Sequence, residues 1–339
     1  MPPALAPEIL QRIFAGVSSI KTLLDILVSS QQFCRLAEPY VYGQIRFPGS
    51  VEASKLSSLL ESLETSDGRR ASYVRSLSFA TISNRNEMDL IDKILAKTLK
   101  LKSLELCAAS RISLEGYFFQ RSHSFSLTSL RIVATSAQHD QGLLDFLESQ
   151  TSLQTLHLRI RTRHEPEDKH SFSPTASFPD LKILSVPSYL VHSFLRTSAH
   201  LTRLLVFGSV YWHDPEISTK TMHTLSCLQN FDADDVASLA SLFPNLQWLE
   251  APIEAMARLH PRNGKLRGIR FTERSSEGGS PVAMLRLFTV EPNLQFVEYM
   301  RYGYDRQYRD GAEPRPVLWL CRSGDEWLVD WERDVVDDD

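Results

Sequence analysis

Apolar and polar positions follow two different rhythms along the chain, one in the first forty residues or so and another in the remainder. Between residues 7 and 42, apolar side chains recur every three or four positions, which is typical of amphipathic helices. Pro7 and Glu8 suit a first helical turn, and Gly16 separates the first helix from the second. A third helix is expected to end near Pro39, because proline disfavours helical geometry in the residue before it. The pattern therefore predicts three short N-terminal helices.

These three helices are too small to bury all of their apolar faces among themselves. A bundle of about forty residues falls below the size at which a single core usually suffices. Some of this apolar surface is therefore expected to rest on the remainder of the chain or on another protein.

A six-residue phrase, L-x-x-L-x-apolar, recurs through the remainder of the chain. Nine copies begin at Val74, Leu101, Leu127, Leu153, Leu181, Leu201, Leu246, Leu266 and Leu294. Successive starts differ by 27, 26, 26, 28, 20, 45, 20 and 28 residues, and a poorer copy, LSCLQN at Leu225, divides the gap of 45 into 24 and 21. These spacings lie in or close to the range of roughly 20–29 residues that leucine-rich repeats show.

Helical patterns lie between some of these phrases, at residues 87–99, 140–150 and 233–243. A strand followed by a helix, repeated, implies parallel strands joined by crossovers, so we predict an α/β solenoid. The alternative is a two-layer α/β domain whose phrases are only buried strands. Two apolar runs, 317–321 and 327–331, predict a C-terminal hairpin that caps the array. The predicted domains are a helical module at 1–48, the solenoid at 49–300, and the cap hairpin with an acidic tail at 301–339.

The net charge, the apolar runs and the cysteine spacing limit which partners and which compartment we expect. The net charge is -4, which gives no general attraction to nucleic acid or to anionic membrane, and we expect neither as a partner. No apolar run approaches the roughly 20 residues needed to span a bilayer. The four cysteines are far apart, which indicates a reducing compartment, the cytoplasm or the nucleus.

Catalytic signatures are absent from the sequence. It contains no G-x-G-x-x-G, G-x-x-x-x-G-K-[ST], G-x-S-x-G or H-E-x-x-H. The run RTRHEPEDKH at 161–170 brings histidines and carboxylates together, but it lies in a polar stretch and is interpreted as a loop rather than a metal site. We therefore expect a non-enzyme with no catalytic residue, no cofactor and no metal.

The N-terminal stretch resembles an F-box, whose outline is L-P-x-E-[IL]-[IL] … I-[FL] … L-L … V-[CS]-K-x-[FW] … L-A-x-P-x-x-[YW]. The matching residues are Leu5, Glu8, Ile9, Leu10, Ile13, Phe14, Leu23, Leu24, Ser30, Phe33, Leu36, Ala37, Pro39 and Tyr42. Ala6 stands where the family has its first proline, and Gln31 where a lysine is common. The phrases that follow resemble the irregular leucine-rich repeats of divergent fungal F-box proteins.

This resemblance implies an adaptor that recognises a substrate for a Skp–cullin–F-box ubiquitin ligase. The chain would bind a Skp-type adaptor, through it a cullin-RING ligase, and separately an unidentified protein target. The residues expected at the adaptor contact are Leu5, Pro7, Ile9, Leu10, Ile13, Phe14, Leu23, Leu24 and Phe33. The alternative is a leucine-rich-repeat interaction scaffold whose N-terminal helices only cap the solenoid, with Ile9, Ile13, Leu23 and Leu24 buried against the first repeat.

Side chains alternate along a strand, so the third and fifth positions of each phrase are expected to face the concave surface. In the second half of the array these positions include two arginines and two aromatics, residue types that dominate binding hot spots. The predicted target-binding residues are Arg203, Trp248, Arg270 and Phe296. The alternative is that Trp248 and Phe296 pack against a C-terminal flap.

Overall fold

The computed structural model divides the chain into two compact units, residues 1–177 and 178–339. It describes residues 6–17, 19–65, 67–109, 123–135, 141–161, 177–207, 221–228, 242–252, 265–273, 293–301, 316–323 and 326–330. Within these ranges no helix combines the length and the apolar character that a membrane crossing requires.

The first unit begins with three helices, α1 (Pro7–Ala15), α2 (Ile20–Ser29) and α3 (Gln31–Gly43). Proline occupies the first turn of α1, where its missing N–H would have no partner in the helix. Serines begin the other two helices: the Ser19 hydroxyl accepts the N–H of Thr22 at 3.3 Å, and the Ser30 hydroxyl accepts that of Phe33 at 3.1 Å. Both α1 and α2 pack against α3.

The expected end of the third helix near Pro39 is wrong, because α3 continues to Gly43. Proline removes one backbone donor from the helix, so other contacts must stabilise the continuation. Ala37 is buried in the core of the three helices, and Tyr40 packs against that core. The Tyr40 hydroxyl also donates to the Gln11 carbonyl of α1 at 2.9 Å.

Strand and helix alternate through the rest of the first unit. Its strands are β1 (Gln44–Ser50), β2 (Ser76–Ile82), β3 (Ser103–Ala108), β4 (Ser129–Thr135) and β5 (Thr155–Arg161), each parallel to the next. Its further helices are α4 (Ala53–Glu64), α5 (Arg85–Lys97) and α6 (Gln141–Ser149), with a short 3-10 helix at Ala71–Tyr73. Because β1 follows α3 directly, the predicted domain boundary at residue 48 falls inside a strand.

The second unit contains β6 (Ile183–Pro187), α7 (Ser188–Thr197), β7 (Arg203–Phe207), β8 (Thr224–Leu228), β9 (Trp248–Pro252), β10 (Gly268–Glu273) and β11 (Phe296–Arg301). These strands are parallel and pair in sequence order. The strands β12 (Pro316–Ser323) and β13 (Glu326–Asp330) follow antiparallel at the site of the predicted hairpin. The chain is therefore α/β with parallel strands.

One backbone contact recurs between the starts of successive parallel strands within each unit. The carbonyl of the second residue in a phrase, which we call the lead-in residue, accepts the N–H groups of the second and third residues in the next phrase. Lys102 accepts from Thr128 and Ser129 at 2.8 and 3.0 Å, and Thr202 accepts from His223 and Thr224 at 3.0 and 3.1 Å. From β2 onward, the fourth residue of the phrase points inward and is buried, as at Leu77, Leu104, Leu130, Leu156, Leu184, Leu204, Leu225 and Leu249.

The strand pairing shows that the phrase predicted to begin at Leu225 begins earlier in the chain. In β8, Leu225 pairs with Leu204 and so occupies the fourth position of its phrase, not the first. The phrase begins at Met222, which is buried where other phrases have leucine. Methionine fills the same space as leucine, but it interrupts the leucine pattern in the sequence.

A further strand was missed at the start of the array. Ile45 in β1 pairs with Leu77, so YGQIRF from Tyr42 is an additional phrase. The Gly43 carbonyl accepts the N–H of Arg75 at 3.0 Å, as a lead-in residue does. Two helices, α4 and α7, were also not predicted. Of the predicted helical segment 233–243, all but the last two residues lie outside the described part of the chain.

A buried carboxylate joins α3 to the segment before the 3-10 helix. Glu38 is fully buried; Arg70 Nε donates to its Oε1 at 3.0 Å, and Arg69 Nη2 donates to Oε1 at 3.1 Å and lies 3.0 Å from Oε2. Arg70 Nη1 also donates to the Ser62 hydroxyl of α4 at 3.0 Å. Burial by itself lowers the pKa of Arg70, but the hydrogen bond to Glu38 and the charge interactions with Tyr42, Glu38 and Cys34 together outweigh it, so the pKa is raised. The three N-terminal helices are therefore connected to the rest of the first unit by these ion pairs as well as by the direct continuation of α3 into β1.

We expect Glu38→Gln to lower the free energy of unfolding by about 1–3 kcal/mol, because it leaves two guanidinium groups without their buried anion. The loss is smaller than for a fully buried pair, since both arginines are partly exposed. Urea denaturation followed by circular dichroism measures it. The matched control is Glu64→Gln, whose partner Lys97 is half-exposed, and it should cost less than about 0.5 kcal/mol. Equal costs for the two variants would contradict a structural role for Glu38.

Candidate interaction surfaces

The three N-terminal helices have a core of their own. Leu10, Phe14, Leu23 and Ala37 are buried together, and Phe33 packs edge-to-face on Phe14 with ring centroids 6.0 Å apart. Other partly buried apolar residues surround this cluster, namely Val17, Ile26, Leu27, Leu36, Tyr40 and Val41. Each of the three helices therefore buries one face in this core.

Beside this core, α1 and α2 each carry a second line of apolar side chains that is exposed. On α1, Ile9 and Ile13 are 47% and 48% exposed and lie four residues apart. On α2, Ile20, Leu24 and Val28 are 52%, 47% and 85% exposed and also recur every four residues. Residues four apart share one face of a helix, so these five residues form two exposed stripes, one on each helix. Clustered apolar surface of this kind marks an interaction site.

The predicted adaptor residues therefore divide into two groups. Ile9, Ile13 and Leu24 lie on the exposed stripes, and Pro7 is exposed at the start of α1. Leu10, Phe14 and Leu23 are buried and Phe33 is half-buried, so their place is in the module's core rather than at a contact surface. Leu5 lies outside the described residues. Sequence reasoning missed Ile20 and Val28 as surface residues, although their four-residue spacing with Leu24 carried that signal.

In the first unit, polar side chains from neighbouring strands meet on one face of the sheet. Ser78 on β2 donates to Glu105 Oε2 on β3 at 2.8 Å, and Arg131 Nε on β4 lies 3.2 Å from Glu105 Oε1. His157 on β5 follows in register beside Arg131. The cationic and anionic groups in the middle of this face thus neutralise one another.

Cys107 lies on β3 close to this ladder. Burial raises the pKa of its thiol, and the nearby Glu105 carboxylate raises it further, against the smaller opposing effect of Arg131. The thiolate is therefore disfavoured at neutral pH, which is unsuited to a nucleophile.

In the second unit, an indole ring lies across the face of the sheet. Gly268 on β10 pairs with Trp248 on β9, and a Cβ atom added to Gly268 would overlap Cε3 and Cζ3 of that indole. The guanidinium carbon of Arg270 lies 5.8 Å from the Trp248 ring centroid, within the range of a cation–π contact. The glycine thus makes room for the indole, and the arginine stacks beside it.

Of the four predicted target-binding residues, the structure brings Trp248 and Arg270 together. Arg203 is exposed on β7, in register with Thr224, which pairs in turn with Trp248. The backbone of Phe296 pairs with Gly268, but its side chain lies outside the described part of the structure. Other positions on the same face are less open than expected, because Ser185 and Glu250 are buried.

Within the described ranges, no three His, Cys, Asp or Glu side chains come together in a group that could hold a metal ion. The run at 161–170 lies outside those ranges apart from Arg161. No protein-family model matches this chain, and no curated protein matches it. Its possible activities must therefore be argued from the surfaces themselves.

We expect Gly268→Ala to lower the free energy of unfolding by about 1–3 kcal/mol, because the new methyl group must displace the Trp248 indole. When Trp248 is already replaced by alanine, the additional cost of Gly268→Ala should be much smaller, because the indole that blocks the new methyl group is absent. Gly43→Ala is the matched control, because a Cβ there meets open space. Thermal unfolding of the single and double variants measures these costs. If the costs of the two changes simply add, the indole does not occupy the space above Gly268.

Proposed function

We propose that this protein is a non-catalytic adaptor that recruits a protein target to a Skp–cullin–F-box type ubiquitin ligase. Its N-terminal helices would bind a Skp-type adaptor as an F-box does, and its parallel strands, as an irregular leucine-rich-repeat array, would hold the target. The bridge acts by raising the local concentration of target lysines near the conjugating enzyme, and it requires no catalytic group of its own.

The observation that carries this proposal is the division of apolar residues in α1 and α2. A helix that only covered a sheet would bury one stripe and present polar residues on its other face. Here Leu10, Phe14 and Leu23 already fill a core, yet Ile9, Ile13 and Leu24 are exposed beside them. Rows of exposed apolar residues are a feature of protein interaction sites, and the motif resemblance supports a Skp-type adaptor as the partner.

The rival function is an interaction scaffold whose helices cap the array. One observation favours it: α3 runs directly into β1, and Glu38 ties the helices to Arg69 and Arg70. This rival also requires Ile9, Ile13, Leu23 and Leu24 to be buried against the first repeat. Leu23 is buried in the core of the three helices, and the other three are exposed. A rigid attachment is compatible with both functions, whereas the exposed stripes favour the adaptor.

We expect the full chain to bind a purified Skp-type adaptor, and the double variant Ile13→Asp, Leu24→Asp to bind it at least about tenfold more weakly. Both positions are on the exposed stripes, so the helical core should remain folded. Isothermal titration calorimetry measures binding, and circular dichroism checks the fold.

Leu99→Asp is the control for this experiment. Leu99 is a comparably exposed leucine, 58% accessible. It lies just after the end of α5 and on neither stripe. Its variant should bind as the unaltered chain does. Failure of the folded, unaltered chain to bind any Skp-type adaptor would remove the ligase function and leave the scaffold.

A further inference from the structure

The starts of β6 to β10 form an ordered surface in the second unit. Backbone hydrogen bonds place the lead-in residues side by side: the Lys182 carbonyl accepts from Thr202, that of Thr202 from His223, that of His223 from Gln247, and that of Gln247 from Arg267. Strand pairing aligns the next row in the same way, through Ile183, Arg203, Thr224, Trp248 and Gly268. The row after that consists of Ser185, Leu205, Ser226, Glu250 and Arg270.

The charges of these three rows are mostly positive. The cations are Lys182, Arg203, Arg267 and Arg270, and the only carboxylate in the three rows is that of Glu250, which is buried. We call the three exposed cations Lys182, Arg203 and Arg267, together with the Trp248–Arg270 pair, the basic rim. It stands out because the whole chain carries a net charge of -4.

The same rows of the first unit also carry cations, and apart from the exposed Arg46 on β1 these are engaged within the chain. Arg75 Nη1 donates to the carbonyls of Ser72 and Val74, Lys102 donates to that of Ser126, and Arg131 pairs with Glu105. By contrast, the side chains of Lys182, Arg203 and Arg267 have no ion pair or hydrogen bond within the described ranges. The two units therefore share a backbone arrangement and differ in how available their cations are.

An aromatic side chain, that of Trp248 on β9, lies between the cations of β6 and β7 and those of β10. Trp248 is half-buried, and its indole occupies the space that a side chain at Gly268 would take. Tryptophan and arginine are the residue types that most often dominate binding energy at protein interfaces. A ligand that fits this surface therefore carries negative charge at its ends and an apolar group between them.

We propose that the basic rim binds an acidic segment of a protein partner, with carboxylates at Lys182, Arg203 and Arg267 and an apolar side chain against Trp248. Strands lie about 4.8 Å apart, so the rim from β6 to β10 spans about 19 Å, or about six residues of extended peptide. This inference rests on the proposed function only in taking that partner to be the target; the rim would bind the peptide without any adaptor.

A peptide suits the basic rim better than a nucleic acid does. A long polyanion would meet the rest of a chain whose net charge is negative, whereas a short acidic segment meets only the rim. The rim also presents a single aromatic ring, that of Trp248, rather than the succession of rings on which bases stack.

The test uses the full chain without adaptor and a fluorescein-labelled peptide that has glutamates on both sides of a central leucine. Fluorescence anisotropy at low salt should show binding, and the same peptide with glutamine in place of each glutamate should bind at least about tenfold more weakly. Binding should also weaken as salt is added, because the contacts are exposed. Equal binding of the two peptides would overturn the proposal.

Charge reversal locates the site. The double variant Arg203→Glu, Arg267→Glu should bind the glutamate peptide at least about tenfold more weakly. The control Lys93→Glu, Lys100→Glu changes the net charge equally at exposed lysines of the first unit and should leave binding within about twofold. Trp248→Ala should weaken binding with little change in its salt dependence. An equal loss in the control would show that net charge, and not the rim, governs binding.

Two further measurements identify which kind of ligand binds the basic rim. A single-stranded oligonucleotide of the same charge should compete poorly, and stronger competition than by unlabelled peptide would overturn the choice of a protein partner. Removing the acidic end of the sequence, residues 331–339, should leave affinity within about twofold. Binding that appears only after that removal would make the chain's own end the occupant and would also overturn the proposal. None of these outcomes depends on adaptor binding, so either proposal can fail without the other.

Discussion

The parallel pairing of short strands, whose phrases are aligned at the strand starts, is the constraint on which the described structure depends. Each lead-in carbonyl receives N–H groups from the following phrase, so a shift of one residue would break these bonds and turn the buried leucines toward solvent. The leucines at the fourth position can therefore vary little, whereas the third and fifth positions need only to tolerate a strand. For that reason one backbone carries a neutralised polar face in the first unit and a basic rim in the second.

The same division between core and surface explains the N-terminal helices. Leu10, Phe14 and Leu23 are fixed by packing with Ala37, and replacing them would unfold the module. The stripes beside them are exposed and lie outside that core, and the proposed binding of a partner would account for their apolar side chains. Glu38 restricts how the module can move, because its ion pairs with Arg69 and Arg70 would have to break before α3 could swing away. A partner bound to the stripes would thus be held at a fixed position relative to the first unit.

The sequence was most informative where one residue type repeats at one position. Spaced leucines predicted the strands of most phrases, but they missed the phrase at Tyr42 and placed the one at Met222 three residues late, because tyrosine and methionine fill the leucine position there. The predicted end of α3 near Pro39 was wrong because tertiary packing outweighed the local preference of proline against a helix. Periodicity also could not show that Leu10 is buried while Ile9 is exposed, because both residues lie on one broad apolar face of α1. The packing of α3 against α1 determines which of the two is buried. The ion pairs of Glu38 join residues thirty positions apart and have no local signal.

Gly268 shows how a surface residue can become as constrained as a core residue. Most face positions can change without affecting their neighbours, but the Trp248 indole lies over Gly268 and stacks with Arg270. Any side chain at that position displaces the ring and disturbs the cation–π contact with it. A fixed indole loses little freedom when a ligand binds, whereas a mobile one would have to be ordered first. If the basic rim binds a partner as we propose, Gly268 would contribute to that binding without touching the ligand, because it leaves the space over β10 open for the indole.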